Sequence, residues 1–290
     1  MSLSRRRFLE LGALGVVAAA VAKTSACSSE DSSSTLPTSS VIVIGGGLSG
    51  LVSAYLLGGR GVKVSVLEAN HHPGGRVHTE RWPNGQISEL GFEEFFDEDT
   101  YPDIWWLVRE LALEGQVTRY RGSMGAYLRD EYIPPGSYSK WIRDLPWSAD
   151  TDLDDFNSMT SHVSGGVGRL SMPQDAAGYA ALDSESMKDW ISRSYDRSGS
   201  GDVNWLTSIF LQPEIGVPSD RTSAAYAILN LWIWYNSDLY HLRDGNDQFI
   251  SRLVDKLPPN SVTLDAKVSA VRNLPDNEGV EVEYTDHSGQ

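Results

Sequence analysis

Gly45-Gly46-Gly47-Leu48-Ser49-Gly50 satisfies the pattern G-x-G-x-x-G, and an acid, Glu68, follows 18 residues after the last of these glycines. Alone, such a run marks a glycine-rich turn and nothing more. Its neighbours give it chemistry. Val41-Ile42-Val43-Ile44 reads as a strand entering the turn, and Leu48 to Leu57 as a helix leaving it. In that setting the first glycine permits a tight turn, the second lets backbone N–H groups approach a pyrophosphate, and the third lets helix pack on strand. The helix N-terminus adds partial positive charge, and Glu68 is placed to hold ribose hydroxyls. The combination predicts a dinucleotide site using Gly45, Gly47, Leu48, Ser49, Gly50 and Glu68.

A second group follows at once, Glu68-Ala69 and then His72-Pro73-Gly74-Gly75-Arg76-Val77-His78-Thr79. Paired glycines let backbone approach a ligand, and Arg76 offers a planar, permanently charged donor fork to phosphate. The bland alternative, an arginine in a surface salt bridge, is weakened by the glycines before it. Other candidates carry less. His71, His72 and His78 lack a carboxylate or cysteine at ligand spacing and read as exposed loop histidines. Trp105-Trp106 and Trp232-Ile233-Trp234-Tyr235 are aromatics at helical positions, where core packing is the ordinary use. Glu93, Glu94, Asp97, Glu98 and Asp99 read as a solvated acidic face. No Ser-His-Asp arrangement or phosphate-transfer lysine motif can be picked out.

These residues need a scaffold that delivers them. Val62 to Leu67 is β-rich and supplies a second strand, with Gly58-Gly59 and Gly61 closing the helix before it. Val41 to Ile44, a continuous apolar run, suits a strand buried on both faces. Ile104, Leu107, Val108 and Leu111 give an amphipathic helix between Asp103 and Glu114. Pro134-Pro135-Gly136 breaks the chain, and Thr151 to Ser200 is polar with only scattered helical patterns. Ala224 to Tyr235 reads as a buried helix. After Gly245, Phe249 to Leu257 is helical, Val262 to Leu264 and Lys267 to Arg272 are strands, and Val280 to Tyr284 is a half-exposed strand. The chain stops where a partner for that last strand is expected.

Length and charge set the outer bounds. The 290 residues are 40% hydrophobic, enough for a sizeable core, and the formal charge of -15 argues against a nucleic-acid partner. Basic residues cluster instead at the start, in Ser4-Arg5-Arg6-Arg7-Phe8-Leu9-Glu10, ahead of the small apolar run Leu11 to Ala22. This resembles a twin-arginine export signal, with Glu10 in place of the usual Lys. That route carries folded proteins, so the leader itself points to a tightly held cofactor. Cys27 is the sole cysteine and excludes an intramolecular disulfide. Thr24-Ser25-Ala26-Cys27 resembles a lipobox, with Thr24 for the usual Leu, and marks Cys27 as a lipidation candidate. Ser28 to Ser40 is too polar to offset its ordering entropy. The expectations are a signal peptide over 1–26, a disordered tether over 27–40, and a protein at the periplasm or cell surface, anchored to the membrane where Cys27 is lipidated.

The glycine fingerprint does not separate FAD from NAD. The next segment does, because Gly74-Gly75-Arg76 with Thr79 resembles the second motif of the flavin amine oxidase superfamily, Arg-x-Gly-Gly-Arg-x-x-Ser/Thr. Arg243-Asp244-Gly245-Asn246-Asp247 is similar to that family's Gly-Gly-Asn-Asp turn, and Lys267-Val268 to the segment whose valine backbone holds adenine. The resemblance covers Val41 to about Glu94 and Gly245 to Tyr284. It implies FAD as cofactor, contacts from Ala69, Gly74, Gly75, Arg76, Gly91, Phe92 and Val268, and oxidation of a small-molecule amine or amino acid to the imine. Two departures stand out. His72 replaces the first Arg of the motif, and Phe92 stands where the family has a small residue beneath the flavin, which predicts a crowded ring site. The implied fold is α/β: a Rossmann-like FAD-binding domain over 41–130 and 242–290, interrupted by a mostly helical substrate domain over 131–241. Family members are much longer, and their last stretch returns to the FAD domain. The resemblance therefore implies a chain lacking the C-terminal part of the fold, weakly active alone, or one whose second half comes from another chain. Other flavin oxidases or desaturases of the superfamily, and a non-catalytic FAD-binding fragment, are the remaining readings.

Overall fold

The computed structural model describes residues 40–121, 126–128, 130–133, 150–165, 176–275 and 278–286. The expected leader, Cys27, the tether as far as residue 39 and the Pro134-Pro135-Gly136 break lie outside the described residues.

Ser40–Ile44 (β1), Leu48–Gly58 (α1) and Lys63–Leu67 (β2) form the opening strand–helix–strand unit. Leu51 and Ala54 of α1 are fully buried, small and apolar residues letting the helix lie close to the sheet. Thr79–Arg81 (β3) pairs antiparallel with Ile87–Glu89 (β4). Phe95–Phe96 (β5), Pro102–Glu110 (α2) and Val117–Arg119 (β6) follow, then a hairpin of Ala126–Leu128 (β7) and Glu131–Ile133 (β8). Among the described residues five helices come next: Asp150–Gly165 (α3), Ala176–Asp183 (α4), Met187–Ser194 (α5), Asp202–Ile215 (α6) and Ala224–Asn236 (α7). The chain returns through Leu239–Leu242 (β9), Gln248–Lys256 (α8), Val262–Thr263 (β10), Lys267–Asn273 (β11) and Val280–Thr285 (β12).

One sheet runs β1–β2–β10, with β10 parallel to β2 through Val262 opposite Val66. A second runs β5–β9–β6, all antiparallel, so the strand returning from the helices inserts between two that preceded them. Around these, Leu51, Val66, Phe95, Leu107, Val108, Leu242, Phe249 and Leu253 form a core joining α1, α2 and α8 to the strands. The helices build a core of their own from Phe156, Met159, Met187, Trp190, Ile191, Leu206, Ile228 and Leu231. β9 straddles the expected boundary at 241/242, and the β7–β8 hairpin straddles that at 130/131.

Three expectations need correction. β1 is not buried on both faces: Val43 packs into the core, whereas Ile42 is 38% and Ile44 53% exposed, because side chains alternate and only one side meets α1. Ser40, placed in the tether, is the first residue of β1. The polar stretch from Thr151 also hides a 16-residue helix, α3. Its Asp152 and Asp155 are buried, yet they accept hydrogen bonds from Ser198, Ser200 and Arg197 in the loop before α6. These two acids serve helix–loop contacts, whereas Thr151, Asp154, Ser158 and Ser161 face solvent, and polar residues on both faces flatten the apolar periodicity that would have revealed the helix.

A candidate FAD cleft at the end of the first strand

β1 delivers the chain into Gly45, whose φ of +100° belongs to glycine and whose N–H donates to the Leu67 carbonyl of β2 at 2.8 Å. A Cβ on Gly50 would stand 2.1 Å from the Gly45 carbonyl oxygen, so helix and turn touch here only because Gly50 has no side chain. Gly47 caps α1 with no side-chain hydrogen bond. The first-turn N–H groups of Leu48 and Ser49 are therefore available to an anion in front of the helix.

Glu68, at the end of β2, is 5% exposed and lies beneath the turn. Its Oε2 accepts from the Gly46 N–H at 2.6 Å, and its Oε1 from the Asn70 backbone and side chain at 2.8 and 2.9 Å. Burial pushes this carboxyl's pKa up, but the hydrogen bonds from Asn70, Gly46 and Ala69 together outweigh it, and the net shift is downward. Glu68 is thus held charged. A group whose folded pKa is depressed adds stability above its unfolded pKa and loses it as pH falls through the folded value. Glu68→Gln, which turns a donor toward Gly46 or Asn70, is expected to cost about 1–3 kcal/mol at neutral pH. In urea titrations the gap from wild type should narrow only below the ordinary carboxylate range; a gap that is constant down to that acid range and beyond would contradict this.

The second glycine group closes the opposite side. The Gly74 N–H donates to the Gly46 carbonyl at 2.8 Å, and Gly74 bridges to Gly47 in parallel. Phe92 donates its N–H to the Arg76 carbonyl at 2.9 Å, and a Cβ on Gly91 would stand 2.1 Å from that same oxygen. Between these walls opens a cleft of about 520 Å³ lined by Gly47, Leu48, Ser49, Gly74, Gly75, Arg76, Val77, Gly91 and Phe92. Among the described residues the exposed Arg76 guanidinium has no ion-pair partner, which leaves its fork open to phosphate.

The structure thus gathers nearly all the expected site residues. Gly45, Gly50 and Glu68 shape the turn from behind; Gly47, Leu48, Ser49, Gly74, Gly75, Arg76, Gly91 and Phe92 line the cleft. Ala69 adds backbone support to Glu68. Val268 is not among the lining residues, but Ala266 and Asp265 donate their N–H groups to the Glu68 and Asn70 carbonyls at 2.8 and 3.0 Å, tying the approach to β11 to the acid. Phe92 lines the cleft and is half-buried. Its ring stacks on Phe95 at 6.3 Å and tilts against Phe249 at 6.2 Å, so much of its bulk is taken up by the core. Of the three histidines read as exposed loop residues, His71 is exposed whereas His72 and His78 are half-buried, and successive rings lie 4.8 and 5.1 Å apart. Among the described residues no group of three or more His, Cys, Asp or Glu is placed to hold a metal ion.

Sequence reasoning assigned no role to the polar network behind the Gly91 wall. Glu89 accepts from the Asn246 N–H at 2.8 Å and from the Thr79 hydroxyl at 2.7 Å, and Arg81 holds both Asp247 carboxylate oxygens at 2.7 and 2.8 Å. Its signals were the resemblance of Gly245-Asn246-Asp247 to the family's Gly-Gly-Asn-Asp turn and the place of that run just ahead of an amphipathic helix.

Strand, glycine turn, helix, second strand and buried acid, faced by a glycine-paired loop carrying a free arginine, define a dinucleotide-binding α/β protein. The family model for flavin-containing amine oxidoreductases matches residues 48–290, and the chain belongs to that family. Its cofactor is FAD, and the cradle fits one: backbone amides, a helix N-terminus and glycines where a side chain would intrude. Over 38 residues the chain is 60% identical to an L-amino-acid oxidase of Daboia russelii, a match covering 13% of this chain and 8% of that protein. It is 28% identical over 196 residues to the flavin-containing amine oxidase A of Sus scrofa, covering 66% and 34%. A putrescine oxidase structure superposes with a TM-score of 0.62 at 19% identity, over 84% of this chain and 54% of that one. Cyclohexylamine oxidase from Brevibacterium oxydans IH-35A gives 0.62 at 22%, over 85% and 55%. The fold is shared, and the chain spans about half the length of these solved structures.

Proposed function

We propose that this chain grips the ADP portion of FAD for the two-electron oxidation of a small amine or amino acid. The observation that carries this reading is the cleft itself, where the uncapped N-terminus of α1, the Gly74–Arg76 loop and Gly91 converge over a charged, buried Glu68. Leu48 and Ser49 amides with Arg76 meet the pyrophosphate, and Glu68 takes the ribose hydroxyls through lone pairs that Gly46 and Asn70 leave unused. When bound, FAD would supply the two-electron acceptor for oxidation of the amine to an imine that water then hydrolyses, with oxygen or another acceptor regenerating it. The helices α3 to α7, with their separate core, are the candidate substrate side, and similarity to proteins named as amine and L-amino-acid oxidases supports trying amines and amino acids first.

The leader read over 1–26 supports export as a folded, cofactor-loaded protein, with Cys27 as its lipid anchor. Mass spectrometry of the mature N-terminus decides that, an unmodified Cys27 removing the anchor. For the activity, the full chain is loaded with FAD and supplied anaerobically with primary amines and L-amino acids. Substrate-dependent bleaching of the flavin absorbance is the expected result. Stable FAD binding without bleaching by any of them would favour a cofactor-binding, non-catalytic role.

A further inference from the structure

We propose that Asn246 is a positioning residue for the cofactor, acting through the Gly91–Phe92 wall of the cleft; the inference rests on the FAD reading of that cleft. Asn246 is fully buried. Its Nδ2 donates to the carbonyls of Phe92 at 2.8 Å and Glu93 at 2.9 Å, and its Oδ1 accepts the Leu242 N–H of β9 at 2.9 Å. Its own N–H donates to Glu89 at 2.8 Å. One carboxamide therefore joins the strand returning from the helices to the segment walling the cleft.

On this side the segment is also held by the packing of the Phe92 ring on Phe95 and Phe249, but its backbone carbonyls at Phe92 and Glu93 are met by Asn246. The N–H groups of Leu90 and Phe92 donate to the carbonyls of His78 and Arg76 at 2.8 and 2.9 Å, which holds it to the arginine loop. The carbonyls of Phe92 and Glu93 point the other way, into the core, and are met there by Asn246. A buried carbonyl stripped of its donor carries a desolvation penalty that the chain escapes by turning toward water. Gly91 has no room for that motion inward, its Cα standing against the Arg76 carbonyl. Loss of Asn246 therefore removes the core-side anchor of the wall while its bonds to the arginine loop remain, so the wall shifts and the grip on the ligand loosens. Asp cannot substitute, because a second acceptor would face two carbonyls.

The test uses the full chain and two readouts. In Asn246→Ala, amide exchange at Leu90, Gly91 and Phe92 without ligand should quicken by about 10-fold or more, as expected for local opening, while β2 and α7 amides stay as they were. The dissociation constant for FAD, followed by flavin fluorescence, should rise by about 10-fold. Asn246→Ser, which keeps one polar atom in the site, carries both readouts if Ala does not fold. Ile228→Val in the helical core is the control, lowering the melting temperature without moving either. Unchanged exchange at Leu90 to Phe92, or an unchanged FAD affinity with a lowered melting temperature, would overturn the proposal while leaving the FAD reading in place. Failure of the wild type to bind FAD would overturn both.

Discussion

Gly50→Ala is expected to abolish measurable FAD binding and to destabilise the protein, although helix propensity alone argues the reverse. In a helix interior Ala is favoured over Gly by about 1 kcal/mol. Here the added Cβ would lie 2.1 Å from the Gly45 carbonyl oxygen and 3.3 Å from both the Gly45 carbonyl carbon and a Val43 methyl. Overpacking typically costs about 1–3 kcal/mol when side chains can yield, and the obstacle in this case is backbone with no rotamer to change. Relief requires α1 to lift from the turn. Lifting it carries the amides of Leu48 and Ser49 away from the pyrophosphate position and strains the Gly46 N–H contact with Glu68. Affinity for FAD should fall by about 100-fold or more, equivalent to some 2.7 kcal/mol. Equilibrium dialysis with FAD measures this, and a Gly50→Ala protein binding as wild type would show that helix and turn are not in contact.

Phe249→Ala is expected to give the largest loss of stability, about 3–5 kcal/mol. Phe249 has no exposed surface and lies at the meeting point of three elements, with its ring 6.2 Å from Phe92 and 5.9 Å from Phe95. The cavity would open between α8, β5 and the Phe92 segment, so part of the loss should appear as weakened FAD binding. The comparison is Tyr226→Ala in α7: Tyr226 is 48% exposed, and a change there should stay within about 0.5 kcal/mol. Urea unfolding of the two variants separates the cases. Equal midpoints would mean that the core is not where α8 meets the strands.

The cofactor half of this protein is legible in the sequence because its physics is local. Val41 to Glu68 needs only a strand, a turn without side chains, a helix and an acid, all within one crossover, and each leaves a mark in residue type. Gly91 was legible only through family resemblance; the reason for it, a carbonyl of Arg76 at contact distance, exists only once two distant turns are folded together. The role of Asn246 was hidden for the same cause, its partners Phe92 and Glu93 being 154 and 153 residues away. The bulk of Phe92 is visible in the sequence, but the packing of its ring on Phe95 and Phe249 is not, because residue type gives size without direction. The helical region resisted reading where buried Asp152 and Asp155 interrupt the apolar pattern of α3, since a polar residue satisfied by a distant loop looks, in sequence, like one satisfied by water.

The central claim is that FAD lies between the N-terminus of α1, the Gly74–Arg76 loop and Gly91. Hydrogen exchange of the full chain with and without FAD tests it most directly, with NAD as the competing dinucleotide. FAD should slow exchange at Gly46 to Ser49, Gly74 to Arg76 and Gly91, Glu68→Gln should weaken this protection, and NAD should not reproduce it at equal concentration. Protection confined to other segments, equal protection by NAD, or none with FAD would contradict it.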